Sequence, residues 1–143
     1  MNARHRLAVL VALVTLALPA AGRAGGFGVV LQGPQKDGCT YVADLYSCRG
    51  AASLDVQATA EGVVNGVRRQ VPIALTRAKT AGEFTFVRAW PKDGRWAVRL
   101  AVRDRDITVL ANVRPDGRLD DPQYFWGAEG ARACNAALAA LAR

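Results

Sequence analysis

From Ser53 to Arg118 the chain alternates apolar and polar residues in short runs, and each run ends at a turn signal. Leu54, Val56, Ala58 and Ala60 alternate with Asp55, Gln57 and Thr59; Trp96, Val98, Leu100 and Val102 alternate with Ala97, Arg99, Ala101 and Arg103. Alternation sends successive side chains to opposite sides of an extended backbone, so this span predicts strands with one buried face. Val63-Val64 runs into Asn65-Gly66, the dipeptide that best tolerates the positive φ angles of a two-residue hairpin. The next strand is expected over Val67 to Leu75, with Val71, Ile73 and Leu75 inward. Pro72 cannot donate a ladder hydrogen bond, which places that strand at a sheet edge. Arg77 to Gly82 reads as a loop. Glu83 to Trp90 follows with Phe84 and Phe86 on one face, and Pro91-Lys92-Asp93-Gly94 forms a turn. Asp104-Arg105 reverses the chain into a strand with Ile107, Val109, Ala111 and Val113 inward, closed by Pro115-Asp116-Gly117. The spacing suits a sandwich or a small antiparallel barrel. On the N-terminal side Val29-Val30-Leu31 and Tyr41 to Tyr46 read as strands, with turns at Gly33-Pro34 and Lys36-Asp37-Gly38.

The texture changes near the end. From about Glu129 to Arg143 the chain is Ala-rich, and Ala131, Cys134, Leu138 and Leu141 fall on one helical stripe. A C-terminal helix is expected to lay that stripe on the β-domain. Tyr124, Phe125 and Trp126 precede it. They are either a ligand platform or aromatics that seal a chain reversal into the core, and the second is favoured.

The beginning is different again. Arg4, His5 and Arg6 are followed by an uncharged run from Leu7 to Gly22, ending in Pro19-Ala20-Ala21-Gly22. A basic start, a short apolar centre and small residues at the end form the pattern of a secretory signal peptide. The run falls short of the roughly 20 apolar residues that span a bilayer. Residues 1–24 are therefore expected to be removed, after Gly22 or Ala24, and no later stretch is apolar enough to cross a membrane. The expected location is periplasmic or secreted. Of the 19 basic residues 16 remain after cleavage against all 12 acidic ones, a net charge of +4. The chain's one histidine, His5, and one methionine, Met1, leave with the leader.

A domain without histidine lacks the commonest general acid/base and metal ligand, so Ser-His-Asp and Cys-His nucleophiles cannot assemble in it. Zinc sites using His, and copper sites using His or Met, are excluded on the same ground. No GxxxxGK[ST] loop occurs, and Gly25-Gly26-Phe27-Gly28 has no strand before it. Asp104 with Asp106, or Asp120 with Asp121, are the remaining carboxylate pairs; both sit in turns, where Asp commonly serves the local backbone. No cofactor and no catalytic residue is expected.

Cys39, Cys48 and Cys134 remain, and export favours a disulfide. Cys39–Cys48 is one pairing; it requires a chain reversal, since a straight strand would hold the two roughly 30 Å apart. The rival pairing staples Cys134 on the helix to Cys39 or Cys48; otherwise Cys134 is a free thiol. Arg99 and Arg103 face away from the buried side of their strand, and Arg88 and Arg114 are expected to join them in a basic surface. Such a surface suits lipid headgroups or polysaccharide, while export argues against nucleic acid; the alternative, favoured by the modest net charge of +4, is a solvated sheet face with Arg interleaved with acids.

Gly82-Glu83-Phe84 and Trp90-Pro91-Lys92-Asp93-Gly94-Arg95-Trp96-Ala97-Val98 have the form G-x-F … W-x-x-x-G-x-W-x-V. The stretch from about Leu54 to Arg114 thereby resembles small exported bacterial immunoglobulin-like domains, including those called YtkA-like. The resemblance implies a hairpin with aromatics on both arms within a mainly β, antiparallel immunoglobulin-like β-sandwich. Residues 25–126 would form the sandwich and 127–143 the helix. Metal handling, linked to some relatives, does not carry over without His or Met. The favoured function is an exported, non-catalytic accessory or binding module. Its partner is open between another exported protein and an anionic envelope component. A chaperone- or inhibitor-like partner is the second class, and a carboxylate or thiol enzyme the third. The intact mass of the exported protein is expected to fall short of the full chain by the residues up to Gly22 or Ala24. A full-length mass would remove the leader and every inference about location.

Overall fold

The hairpin at Asn65-Gly66 forms where the dipeptide demands it, with φ of 50° and 77° at the two residues. It joins β3 (Val56–Val64) to β4 (Val67–Ile73) in an antiparallel ladder running from Val64↔Val67 to Ala58↔Ile73. The computed structural model describes residues 26–141 apart from Arg49 and Ala52. The expected leader, residues 1–24, and the last two residues of the expected helical segment lie outside the described residues.

The remaining strands are β1 (Phe27–Gln32), β2 (Thr40–Ser47), β5 (Thr76–Arg77), β6 (Glu83–Val87), β7 (Arg95–Val102), β8 (Ile107–Asn112) and β9 (Gln123–Trp126). They form two antiparallel sheets, ordered β1-β2-β6-β5 and β4-β3-β7-β8-β9. The chain crosses between sheets after β2, β4 and β6. Lettered in the immunoglobulin manner, the first sheet is A-B-E-D and the second is C′-C-F-G with β9 added beside G. The expected immunoglobulin-like sandwich is thus the observed one, and β4 with its Pro72 is an edge strand.

The interior is filled from both sheets by Tyr41, Leu45, Phe84, Phe86, Trp90, Trp96, Leu100 and their neighbours. Tyr41 and Phe86 stack with centroids 5.3 Å apart. No polar or charged residue is buried among the described residues. Adjacent strands of the five-stranded sheet divide the space unequally. On its inner face β3 offers Ala58, Ala60 and Gly62, opposite Leu100, Val98 and Trp96 of β7. A Cβ on Gly62 would lie 2.4 Å from the Trp96 ring and 2.6 Å from the Arg95 carbonyl oxygen. Small residues on β3 therefore let large ones on β7 lie down within a single sheet.

Two tyrosines tie the sheets together. Tyr41 donates its hydroxyl to the Gly117 carbonyl at 2.8 Å, joining β2 to the turn between β8 and β9. Tyr124 on β9 receives the Val29 N–H at 2.9 Å and donates to the Val29 carbonyl at 3.2 Å, which occupies the free edge of β1. The aromatics expected to seal a reversal thus form an edge strand: Tyr124 turns inward, Phe125 outward, and Trp126 is half-exposed beside Phe27.

The helix α1 (Gly127–Ala140) packs Cys134 and Leu138 on Ala97 and Leu110, on the outer face of the five-stranded sheet. Fourteen residues make a marginal helix in water, so this burial, about 1.5–3 kcal/mol for a leucine side chain, sustains it. The covered face corrects one expectation. Ala97 was assigned to a wet face by alternation, yet it is fully buried beneath the helix.

Gly62→Ala is expected to lower stability by about 1–3 kcal/mol, because the new methyl meets backbone and a packed indole. Gly28→Ala, whose methyl has the exposed ring of Tyr46 as its nearest neighbour, is expected to cost less, since that ring can swing away. Urea unfolding of both variants checks the order.

Candidate functional site

Where the chain leaves β6 for the other sheet, it builds one wall of a cleft. The Arg88 N–H donates to the Cys39 carbonyl at 2.8 Å, prolonging the β2–β6 ladder past its last pair, Thr40↔Val87. Trp90 then turns inward, 3% exposed, with its ring 5.4 Å from that of Tyr41. Pro91 to Gly94 turns the chain into β7, and the Val113 N–H donates to the Trp96 carbonyl at 2.8 Å, bringing the end of β8 alongside. Leu141, just beyond α1, closes the far side. The cleft has a volume of about 460 Å³, within the roughly 300–1,000 Å³ of small-ligand sites.

Its lining is one-signed. Arg88, Lys92, Arg95 and Arg114 line it, and no Asp or Glu does. Arg114 pairs with Asp120 at 3.6 Å; the other three have no carboxylate partner among the described residues. Four cations less that one carboxylate leave +3. The helix end at Leu141 contributes only about half a negative charge, so the cations exceed what it can use.

Two residues of the cleft lining carry buried donors. Arg88 Nε and Trp90 Nε1 are buried without a hydrogen-bond partner among the described residues, as is Arg99 Nε on the outer face of the five-stranded sheet. The Arg88 guanidinium carbon lies 6.0 Å from the Trp90 ring centroid, at the outer limit of a cation–π contact. Trp96 differs: its indole N–H donates to the Asp93 carbonyl at 2.8 Å. An unsatisfied buried donor costs about 1–3 kcal/mol.

Of the four arginines expected in one basic surface, the structure brings Arg88 and Arg114 into this cleft and places Arg99 and Arg103 elsewhere. The cause is topological: β6 is in the four-stranded sheet and is no neighbour of β7. Arg99 and Arg103 border a shallow dish on the outer face of the five-stranded sheet with Gln57, Thr59 and Gln70. Both are engaged there, Arg99 with Glu61 at 3.2 Å and Arg103 with the Gln57 side-chain oxygen at 2.5 Å. Lys92 and Arg95 escaped the sequence reading. Their signal was the turn between two tryptophans, which presents its charged residues at the end of the sandwich.

The expected disulfides are not formed. Cys39, Cys48 and Cys134 are all free thiols. Cys39 precedes β2 and Cys48 follows it, so the strand holds them at its opposite ends and the reversal that a bridge needs does not occur. Cys134 is not a staple to either, because it packs on Ala97 and Leu110 across the other sheet. Burial, foremost, raises its thiol pKa, opposed by Arg99 and assisted by Glu61.

Asp104 and Asp106 lie at one end of β8 and Asp120 and Asp121 beyond the other; all four are exposed. Asp104 accepts the Asp55 N–H at 3.3 Å and pairs with Arg105 at 3.4 Å. Asp37 is held at a pKa of about 2 by the Thr40 hydroxyl, then by the N–H groups of Cys39 and Thr40. Its depressed pKa adds to the order of this exposed turn above the ordinary value of 3.8, and that contribution disappears as pH falls through about 2. Among the described residues no helix is long and apolar enough to cross a membrane.

No family model, no curated protein and no solved structure matches this chain.

Native alkylation is expected to add two groups per molecule, at exposed Cys48 and half-exposed Cys39, with Cys134 reacting only after denaturation. Reduction should leave the intact mass of the untreated protein unchanged. Immediate labelling at all three thiols would mean that α1 undocks readily.

Proposed function

We propose that this chain is an exported, non-catalytic accessory module that binds an anionic envelope component through the cleft between Arg88, Lys92, Arg95 and Arg114. The observation that carries the reading is a lining with four cations and no carboxylate. Export rests on the leader at residues 1–24, and with it the periplasmic or secreted location.

The chemistry of the mature residues supports binding over catalysis. The chain holds no histidine beyond His5, and its two Asp pairs are exposed at separate ends of β8. The backbone bonds from Arg88 to Cys39 and from Val113 to Trp96 brace the cleft, which lowers the ordering cost of binding. Strand addition at β4 is a weaker route. Its edge carries Pro72, which lacks a donor, and exposed Arg68 and Arg69, devices that discourage pairing.

Heparin serves as a defined polyanion. Removing two charges, Lys92→Gln with Arg95→Gln, is expected to weaken its binding by roughly fivefold per charge. Arg103→Gln, in the separate dish, should leave it nearly unchanged. Equal loss from both variants would mean that diffuse surface charge, and not the cleft, holds the polymer.

A further inference from the structure

We infer, resting on that reading, that the cleft is a seat for the terminal phosphate of a phosphomonoester, with Arg88 Nε and Trp90 Nε1 as its fixed donors and Lys92 and Arg95 supplying charge. The two donors belong to residues that share the cleft wall, are buried, and have no partner among the described residues. A group with several acceptor oxygens is what such a pair lacks. The Arg88 backbone is fixed by its bond to Cys39, and its guanidinium carbon lies 6.0 Å from the Trp90 ring centroid. A guanidinium edge offers parallel donors to a planar or tetrahedral oxyanion, which an ammonium does not.

Charge and size select among oxyanions. After the Arg114–Asp120 pair the lining retains +3. A carboxylate or a phosphodiester brings one negative charge and two terminal oxygens. A phosphomonoester brings about −1.5 to −2 near pH 7 and three oxygens, so it uses both buried donors and the charge around them. The same head occurs on soluble sugar phosphates and on phosphatidic acid. The volume of about 460 Å³ admits the head and a small body.

The test is titration of the mature protein with inorganic phosphate, glycerol phosphate, dimethyl phosphate and acetate, followed by calorimetry and tryptophan fluorescence. Inorganic phosphate and glycerol phosphate should saturate, and dimethyl phosphate and acetate should bind about tenfold more weakly. Affinity should fall as pH drops through about 6, where the phosphomonoester loses its second charge. Arg88→Lys keeps the charge and is expected to weaken phosphate about tenfold. Trp90→Phe keeps an aromatic in the core and removes the N–H, with the same expected loss; its thermal melt shows whether it remains folded. Vesicles of phosphatidic acid bound more tightly than glycerol phosphate would assign a lipid source, and weaker binding a soluble one. Unchanged phosphate affinity in Arg88→Lys overturns the seat. Heparin retention without saturable phosphate binding overturns the seat alone, and loss of both in the parent protein overturns the wider reading with it.

Discussion

The two sheets meet through a layer that contains no buried polar or charged residue among those described, and the rest of the molecule is arranged around that condition. A polar group inside such a layer needs a partner or costs several kcal/mol. The tyrosines that enter it carry their hydroxyls to its margins, Tyr41 to Gly117 and Tyr124 to Val29. Each spends its polar tip on a backbone group of the opposite sheet, so the same side chain that fills the interior also locks its rim. Polar chemistry is thereby confined to the ends and outer faces of the sandwich.

Those outer faces are unlike. Helix α1 covers part of the five-stranded sheet and makes Ala97 and Leu110 interior residues of a second, smaller apolar cluster. Arg99, two residues along from Ala97, is left at the edge of that cluster and answers to Glu61 on the neighbouring strand. A basic residue so placed is part of the local structure. The cleft at the end of the sandwich has the opposite character. Arg88 and Lys92 stand on the crossover and turn between β6 and β7, Arg95 opens β7 and Arg114 follows β8, end positions of the kind at which a rigid scaffold usually carries recognition.

The strands between Ser53 and Arg118 were legible because alternation and turn chemistry act over a few residues. Asn65-Gly66 and Pro72 needed nothing beyond their own backbone requirements, and the stripe of Cys134 and Leu138 needed only helical spacing. What alternation cannot convey is which strand lies beside which. β6 and β7 are consecutive yet sit in different sheets, so Arg88 and Arg99 part company although both follow aromatic strands. Ala97 could not be recognised as buried without knowing where the helix lands. The cysteines failed for a related reason: a bridge between Cys39 and Cys48 depended on a reversal, and the uninterrupted strand Thr40–Ser47 keeps the two apart. Of the cleft, Arg88 and Arg114 were noticed as charges, but Lys92, Arg95 and the indole of Trp90 acquired meaning only from three-dimensional adjacency.

Trp90 and Trp96 are the same residue type at the two ends of one turn, and both are 3% exposed. The turn supplies Trp96 with an acceptor at Asp93, so its N–H is satisfied by local structure. It supplies none to Trp90, and Phe at that position would fill much of the same space against Tyr41 without leaving a donor unmatched. Packing alone therefore accounts for an aromatic at Trp90 and does not account for the indole nitrogen. Arg88 poses the same question beside it, since a half-buried guanidinium with an unmatched Nε costs stability that a smaller side chain would not. Two such costs in residues lining one cleft, under an excess of positive charge, are what the proposed phosphate would relieve together, since no acceptor for either is found among the described residues.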